Sequence, residues 1–428
     1  GLYIQNARLT DYTEIGLDTA TGLQAFEASN ANLNDARAEE ILSRLSGTVQ
    51  NLNLGDNSSI TALNVSDRTQ LQRLILENCT GLITLDASGC TGLTELEVFG
   101  CDSLTTIDVS DCTGFTNMCF LCNPITVDAS GCTGVTGVNF MHCSNLETLN
   151  LSGCTELTHL YMENCNRLVT LDVTGCTKLE VLEIPETNIS DFSTMSLSNL
   201  VHFGASNANI SQTDWEVIQP KLSDSLENLY LDGNTEITTV NLSGMTNLKK
   251  LGLGNCTSLN EINVTGCTKL EFISVNNTLL RTLDLSSVGT CLTRLNVSGC
   301  GVMEELDISN SNITDFTTVG LNGVPGLLKF TLDFAHLDNA DMEAICSRLP
   351  ESLEEFKLCG NSEITSFTMC LPRLKMLNVY NCPNLSEIDL TGCSPDVRLT
   401  VSAWGVGVVE PKITKDDIIG WNDLWYFL

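Results

Sequence analysis

The sequence predicts a right-handed α/β repeat solenoid of parallel β coils, with mostly strand on both sides of each coil. From Leu71 to Glu183 the chain repeats an eleven-residue phrase such as "LITLDASGCTG", whose cysteines recur every eleven residues apart from two steps of ten. The leucine, valine and cysteine of each phrase point to one side if L-x-V is a short strand. Alternate phrases differ in their outward residues, so two phrases form one coil of about 22 residues.

Three longer stretches predict coils in which one side is a helix. They begin at Leu23 ("LQAFEASNANLNDARAEEILSRL"), Leu200 and Leu327, and they align without gaps. Each passes from a strand phrase through a helix N-cap region into an amphipathic segment that ends in an i, i+4 apolar pair, for example Ile41 with Leu45. We therefore expect helices near 34–46, 212–222 and 338–349.

These helical coils divide the chain into three copies of one module. We expect module 1 at 1–187, with a long array at 71–184, module 2 at 188–311 with a shorter array, and module 3 at 312–403. Stacked repeats contact only their neighbours, so the prediction is one continuous solenoid. Residues 404–428 leave the period and carry Trp404, Trp421, Trp425, Tyr426 and Phe427. This end is interpreted as a C-terminal cap, with an aromatic binding platform as the alternative.

The even-numbered phrases of module 1 carry nearly invariant outward residues. Their central column is Asp86, Asp108, Asp128, Asn150 and Asp172, and Ser or Thr follows two residues later in each phrase. Short polar side chains beside a turn commonly bond local backbone groups, so these columns are interpreted as turn chemistry. Calcium bridging of the stacked aspartates is the alternative.

The odd-numbered phrases vary outside the core and supply the candidate partner-binding residues. These are Phe99, Cys119, Leu121, Met141 and Tyr161, expected side by side on successive strands, with His159 beside them. An outward apolar cluster on an extended sheet is a candidate contact surface. The alternatives are that a flanking loop covers the cluster or that it is a contact between copies of the chain.

Charge and hydropathy exclude several classes of partner. The 428 residues carry a formal net charge of −32, and the 21 Lys and Arg are scattered, which argues against nucleic acid or an anionic membrane. No apolar run is long enough for membrane insertion. The sequence opens at Gly1 without a signal peptide, which we expect either to have been removed from an exported protein or to have been left out of this sequence.

No cofactor, metal site or catalytic group is expected. The 20 cysteines recur at the repeat period, and equivalent positions of stacked coils are too far apart for disulfides, so we predict mostly reduced, buried thiols. Cys119 and Cys122 form a C-x-x-C in which one side chain points out and the other in. His142 and His159 could approach each other but lack a third ligand. We expect no enzyme.

The phrases "LDVTGCTKL" and "LYMENCNRL" resemble the two halves of the coil of cysteine-ladder internalins of the internalin J type, which are leucine-rich-repeat proteins. The helical stretch "SNANLNDARAEEILSRL" is similar to the longer repeats of the ribonuclease-inhibitor class. Exported proteins of gut bacteria mix such repeats. The chain lacks the wall-sorting motif and basic repeats often found in internalins.

The resemblance implies a secreted or cell-surface bacterial protein that binds a protein or glycan through its variable strands, with adhesion to a host as the role suggested by the family. We expect a monomer or weak dimer. A structural role is the alternative, in which the apolar cluster or the aromatic C-terminus pairs copies of the chain.

Overall fold

A computed structural model describes residues 1–7, 15–119, 123–395 and 397–400, together with two short strands at 418–419 and 426–427. The chain divides into two compact units: Gly1–Asn209 with Glu216–Leu222, and Ile210–Trp215 with Ser223–Leu428. Its α-helices are α1 (Asp35–Arg44), α2 (Gln212–Ile218) and α3 (Asn339–Cys346). All three lie in the stretches where the sequence predicts helical coils.

The first unit is a stack of short parallel strands. In chain order these are β1 (Leu2–Tyr3), β2 (Ala25–Glu27), β3 (Asn51–Asn53), β4 (Ala62–Asn64), β5 (Arg73–Ile75), β6 (Thr84–Asp86), β7 (Glu95–Glu97), β8 (Thr106–Asp108), β9 (Asn117–Met118), β10 (Thr126–Asp128), β11 (Gly137–Asn139), β12 (Thr148–Asn150), β13 (His159–Tyr161), β14 (Thr170–Asp172), β15 (Val181–Glu183) and β16 (His202–Gly204). They form the sheets β1-β2-β3-β5-β7, β4-β6-β8-β10-β12-β14 and β9-β11-β13-β15-β16.

The second unit continues the same pattern. Its strands are β17 (Asn228–Tyr230), β18 (Thr239–Asn241), β19 (Lys250–Gly252), β20 (Glu261–Asn263), β21 (Phe272–Ser274), β22 (Thr282–Asp284), β23 (Arg294–Asn296), β24 (Glu305–Asp307), β25 (Lys329–Thr331), β26 (Glu355–Lys357), β27 (Ser366–Thr368), β28 (Met376–Asn378), β29 (Glu387–Asp389), β30 (Arg398–Thr400), β31 (Ile418–Ile419) and β32 (Tyr426–Phe427). They form the sheets β17-β19-β21-β23, β18-β20, β22-β24-β25-β26-β28-β30-β32 and β27-β29-β31.

The predicted coil period is confirmed by the strand register. Thr84 of β6 pairs with Thr106 of β8 in a parallel ladder, and the side-chain bond from Thr105 to the Ile83 carbonyl spans 22 residues. The middle residue of each strand points inward, so Leu85 and Ile107 are buried in the core. The predicted parallel solenoid of about 22-residue coils, strand-rich on both sides and with helical coils, is therefore confirmed.

The cysteines form a ladder of buried thiols that join successive coils. Cys112 Sγ donates to the Ala87 carbonyl at 3.1 Å, and Cys90 Sγ donates to the Val65 carbonyl at 3.1 Å. The same bond recurs at Cys132, Cys154, Cys165, Cys176, Cys256, Cys267, Cys300 and Cys382. A thiol is a weak donor, but here it satisfies a carbonyl at the turn, where the chain leaves the strand. Within the described ranges these cysteines are free thiols.

Each helix begins with a polar side chain that also bonds the second strand after it in the chain. Asp35 accepts from the Thr61 and Ala62 amides beside β4, at 2.6 and 3.3 Å. Gln212 does the same for Thr238 and Thr239, and Asn339 for Thr365 and Ser366. The helix side chain thus replaces the backbone carbonyls that a preceding strand would supply.

In the second unit one sheet ends and another continues into the coil of α3, which the sequence pattern does not show. The sheet β17-β19-β21-β23 ends at β23, where the Val297 amide donates to the Val319 carbonyl. The strands β22 and β24 continue instead into β25, which leads into the coil of α3. The predicted module boundaries and the single continuous body stay predictions. The side chains of the proposed cap at 404–428 lie outside the described residues, except for Ile418.

Candidate functional site

The outward face of β4, β6, β8, β10, β12 and β14, here called the even-strand face, consists of turn chemistry. Asp86 Oδ1 accepts from the Ser88 amide at 3.0 Å and from the Ser88 hydroxyl at 2.7 Å. The same pair of bonds recurs at Asp108 and Asp128. These carboxylates are committed to their own turns, as the sequence predicts. Among the described residues no cluster of three or more His, Cys, Asp or Glu is arranged to hold a metal ion.

The outward face of β9, β11, β13, β15 and β16, together with the residues that follow each strand, is here called the odd-strand face. Its leading column runs Asn117, Gly137, His159, Val181, His202, and its central column contains Asn139, Tyr161, Glu183, Gly204. The in-register parallel pairing brings these varied side chains onto one continuous surface. Unlike the even-strand face, this surface has different side chains in the same column of adjacent coils.

The predicted site residues do not all lie on this one sheet. Cys119 follows β9, and Met141 follows β11; both are exposed. Phe99 is 60% exposed, but it follows β7, which is the terminal strand of the separate sheet β1-β2-β3-β5-β7. Leu121 lies outside the described residues.

A polar groove of about 480 Å³ opens beside Met141. Cys119, Asn139 and His142 line it, together with the segment from Gly100 to Asp102. The chain that follows Phe99 therefore reaches the same groove, although β7 and β9 belong to different sheets. His142 adopts a left-handed backbone at φ 66°, and its Nδ1 lies 3.2 Å from Asn164 Nδ2. The groove combines an exposed thioether, a thiol and several amides.

His159 and Tyr161 form a stacked pair on β13. Their ring centroids are 6.2 Å apart, and the ring planes are inclined by 27°. His159 Nδ1 lies 2.7 Å from the Thr158 hydroxyl, which itself donates to the Thr136 carbonyl at 2.9 Å. Because the hydroxyl has only one proton, His159 Nδ1 donates to it, and Nε2 is left without the proton when the ring is neutral. Both residues are half-buried.

Glu183, His202 and Gly204 extend this surface, and the sequence analysis did not select them. Glu183 Oε1 bonds His202 Nε2 across β15 and β16. A Cβ at position 204 would overlap the Glu183 carboxylate, so glycine is what lets that carboxylate lie flat on the sheet. The only signal in the sequence is a glycine in the outward central column. Tyr161 and Glu183 are cross-strand neighbours, so the surface passes from aromatic to charged within one coil step.

Exposure and burial separate the thiols into two classes, which predicts their reactivity. Cys119, Cys291 and Cys370 are exposed, whereas burial raises the pKa of ladder thiols such as Cys79 and Cys176 to about 12. Since the thiolate is the nucleophile, we expect iodoacetamide at pH 8 to label the three exposed cysteines at least a hundredfold faster. Mass spectrometry of tryptic peptides from briefly labelled native protein measures this. Comparable labelling of Cys79, or a disulfide at a ladder position, would contradict the reduced ladder.

Within the described ranges, every helix is too short or too polar to cross a bilayer. A profile described as "At1g61320/AtMIF1, LRR domain" matches residues 136–221. A search of curated proteins gives no match to this sequence.

Several solved structures are similar to the chain at low identity. The functional domain of InlJ from Listeria monocytogenes, which includes a cysteine ladder, is 16% identical, with 81% of this chain and 74% of that one covered and a TM-score of 0.33. The internalin InlF from the same organism is also 16% identical, covering 81% and 80%, with a TM-score of 0.30. The LRR protein LIC12759 from Leptospira interrogans is 14% identical, covering 86% and 95%, with a TM-score of 0.29.

The predicted leucine-rich-repeat fold agrees with the profile match at residues 136–221 and with the strand register. The chain is a leucine-rich-repeat solenoid with a ladder of buried cysteines.

Proposed function

We propose that this chain is an exported or cell-surface bacterial recognition protein, without enzymatic activity, that binds a protein or glycan partner through the odd-strand face and the adjoining Phe99. The observation that carries the proposal is the contrast between the two faces of the first unit. The even-strand face repeats one self-bonded turn, whereas the odd-strand face varies at every coil and exposes apolar and aromatic groups. A solenoid that stacks its coils leaves such a face available to a partner.

The chemistry of the odd-strand face suits recognition. Met141 and Phe99 supply apolar area, while the His159–Tyr161 pair supplies rigid rings with polar edges. Aromatic side chains of this kind dominate binding energy when a partner buries them. The carboxylate of Glu183 and the amides of the groove at Met141 add directional hydrogen bonds. This mixture fits a folded protein surface or a glycan better than a nucleic acid, which the net charge of −32 would repel.

The even-strand face provides a matched control for testing this proposal. Ile83 and Val169 are 45% and 48% exposed, and they precede β6 and β14. Replacing them with serine removes a similar exposed apolar area from the opposite face. The control pair is therefore Ile83→Ser with Val169→Ser, and the test pair is Phe99→Ser with Met141→Ser.

The experiment passes mucus and extracellular-matrix extracts over the immobilised parent, the test pair and the control pair, and identifies the retained molecules by mass spectrometry and glycan analysis. We expect one or more partners to be retained by the parent and the control pair, with at least tenfold less retained by the test pair. Circular dichroism checks that each variant is folded. Equal retention by all three, or none, would refute the proposal. A light-scattering mass that rises with concentration in the parent, but not in the test pair, would favour self-assembly.

A further inference from the structure

The edge of the even-strand sheet beside α1 is open. β4 is the terminal strand of the sheet β14-β12-β10-β8-β6-β4. The Val65 amide donates to the Asp86 carbonyl at 2.7 Å, so residues 63 and 65 face β6, and Ala62 and Asn64 face the other way. On that side, the Asp35 carboxylate accepts a hydrogen bond from the Ala62 amide. No strand in the described part of the chain pairs with the Asn64 amide or with the carbonyls of Ala62 and Asn64.

A groove of about 630 Å³ separates this edge from α1. Ala38 and Leu42 line the helix side. Leu63 and Val65 line the strand side, but they are only 3% and 1% exposed. What they present to the groove is therefore mainly backbone. On the helix side, Ala38 and Leu42 are also buried, and the exposed lining residues are Glu39 and Ser43. A groove between a helix and an unpaired strand edge has the form that extended peptides occupy when they add a strand to a sheet.

Arg68 lines the same groove and lacks an acidic partner. Its guanidinium is half-buried and donates to the Leu42 carbonyl. Within the described residues no carboxylate forms an ion pair with it. Burial lowers the pKa of Arg68, because it disfavours the charged form of the guanidinium.

The acidic residues that line the groove form no ion pair with Arg68. Asp35 is bonded to the amide and hydroxyl of Thr61, at 2.6 and 2.5 Å. Asp86 is bonded to Ser88 and to Asn64 Nδ2. Glu39 stands exposed at the rim.

Comparison with the other helical coils shows that this feature is particular to α1. Gln212 and Asn339 bond the strands next to α2 and α3 as Asp35 does beside α1. The residue four positions after the strand is Arg68 here, but it is Met245 after β18 and Pro372 after β27. The side-chain bond to the strand edge is therefore common to the three coils, whereas an arginine four positions after that strand occurs in the first of them, and Arg373 of the third lies one position further on.

We propose that the groove between α1 and β4 binds an extended segment of a partner protein, which adds as a strand along β4 and places an acidic side chain against Arg68. The Asn64 amide and the carbonyls of Ala62 and Asn64 supply the backbone hydrogen bonds. Arg68 supplies a charge-assisted bond that selects Asp or Glu at one position. This site is separate from the odd-strand face, so either one can fail without the other.

Phage-displayed octapeptides, flanked on both sides by linker, serve as the probe. Peptides selected on the full chain are synthesised, and their affinities are measured for the parent and for matched variants. Asn64→Pro removes the amide that faces the groove and leaves the amides of residues 63 and 65, which face β6. Asn64→Ala removes the same side chain but keeps the amide. Ser43→Trp fills the groove, and Ala36→Trp places the same ring on an exposed position of α1 outside its lining.

We expect enriched peptides with alternating apolar residues and one acidic residue. Their affinity should fall at least tenfold for Asn64→Pro relative to Asn64→Ala, and for Ser43→Trp relative to Ala36→Trp. Arg68→Gln should weaken binding at least fivefold and abolish the advantage of the acidic peptide over its amide analogue. Thermal unfolding of each variant separates these losses from misfolding.

Three outcomes would overturn the proposal. The first is a selection that yields no peptide preferring the parent to Ser43→Trp. The second is equal binding to Asn64→Pro and Asn64→Ala, which would exclude strand addition. The third is Arg68-dependent binding of a uronate polysaccharide with no peptide binding, which would assign the groove to a glycan.

Discussion

Raising the pH from 8 to about 10 is expected to unfold the chain cooperatively. The ladder thiols are the cause, because burial raises the pKa of Cys79, Cys132 and Cys256 from 9.0 to about 12. In the unfolded chain the same thiols ionise near pH 9. A group whose pKa is raised by folding contributes stability that is present below the unfolded value. That stability is lost as the pH rises through the window from 9 to about 12.

The size of this effect follows from the number of thiols that share it. Each contributes about 1.4 kcal/mol per pH unit above 9. With roughly ten ladder thiols, the free energy of unfolding falls by on the order of 10 kcal/mol between pH 9 and 10. This loss is as large as the whole stability of a typical domain. The net charge of −32 acts in the same direction, since repulsion grows as lysine and tyrosine lose their protons.

Urea titrations followed by circular dichroism at pH 8, 9 and 10 measure this loss, and thiolate absorbance near 240 nm reports ionisation. We expect the thiolate signal to appear together with unfolding and not before it. In the triple variant Cys112→Ala, Cys132→Ala, Cys154→Ala, the free energy of unfolding should fall less steeply with pH. The difference in slope should correspond to three protons, or about 4 kcal/mol per pH unit. A chain that stays folded at pH 10.5 while its thiols ionise would contradict this explanation.

The second large effect is expected at Asn57, which occupies the ladder position in the coil after α1. Its side chain is 1% exposed; Nδ2 donates to the carbonyls of Ala28 and Leu54, and Oδ1 accepts from the Leu33 amide at 2.9 Å. A thiol could still donate to a carbonyl, but it would leave the Leu33 amide buried without an acceptor. We expect Asn57→Cys to lower the free energy of unfolding by about 2 to 4 kcal/mol.

The matched control for Asn57→Cys is Cys90→Thr, in an ordinary coil. Threonine already occupies the ladder position at Thr187 and Thr278, where its hydroxyl donates to the Ile184 and Val275 carbonyls. This control should therefore cost less than about 1 kcal/mol. Urea titration gives the loss of stability, and hydrogen exchange at the Leu33 amide gives its location. Unchanged exchange at Leu33 in Asn57→Cys would show that the side-chain bond is not what stabilises this coil.

The need for asparagine at this position illustrates what the sequence does and does not contain. Ladder positions are visible as a period, and so is the turn chemistry of Asp86 with Ser88, because both depend on residues close in sequence. The bond from Leu33 to Asn57 spans 24 residues and depends on how α1 shifts the backbone of one coil. The period therefore locates the residue but does not reveal its second partner. Asn234 accepts from the Ile210 amide in the same way in the second unit.

The candidate surfaces also combine features that the sequence predicts with features that it does not. The outward position of Met141 and the pairing of Tyr161 with its neighbours follow from strand alternation, so they could be predicted. The separation of Phe99 onto another sheet could not be, since it arises at the short strand β9 and the shortened phrases around it. The groove at Arg68 was also missed, because it depends on the thickness of α1 beside a three-residue strand edge. The continuation of β24 into β25 requires knowledge of how the segment after β24 folds back.

The central claim is that the odd-strand face with Phe99, and not the even-strand face, carries partner recognition. The most direct test is the dissociation constant of one retained partner for the parent, for Phe99→Ser with Met141→Ser, and for Ile83→Ser with Val169→Ser, all shown to be folded. We predict at least a tenfold weakening for the first pair and less than a twofold change for the second. Equal weakening by both pairs, or a larger loss from the even-strand pair, would contradict the claim.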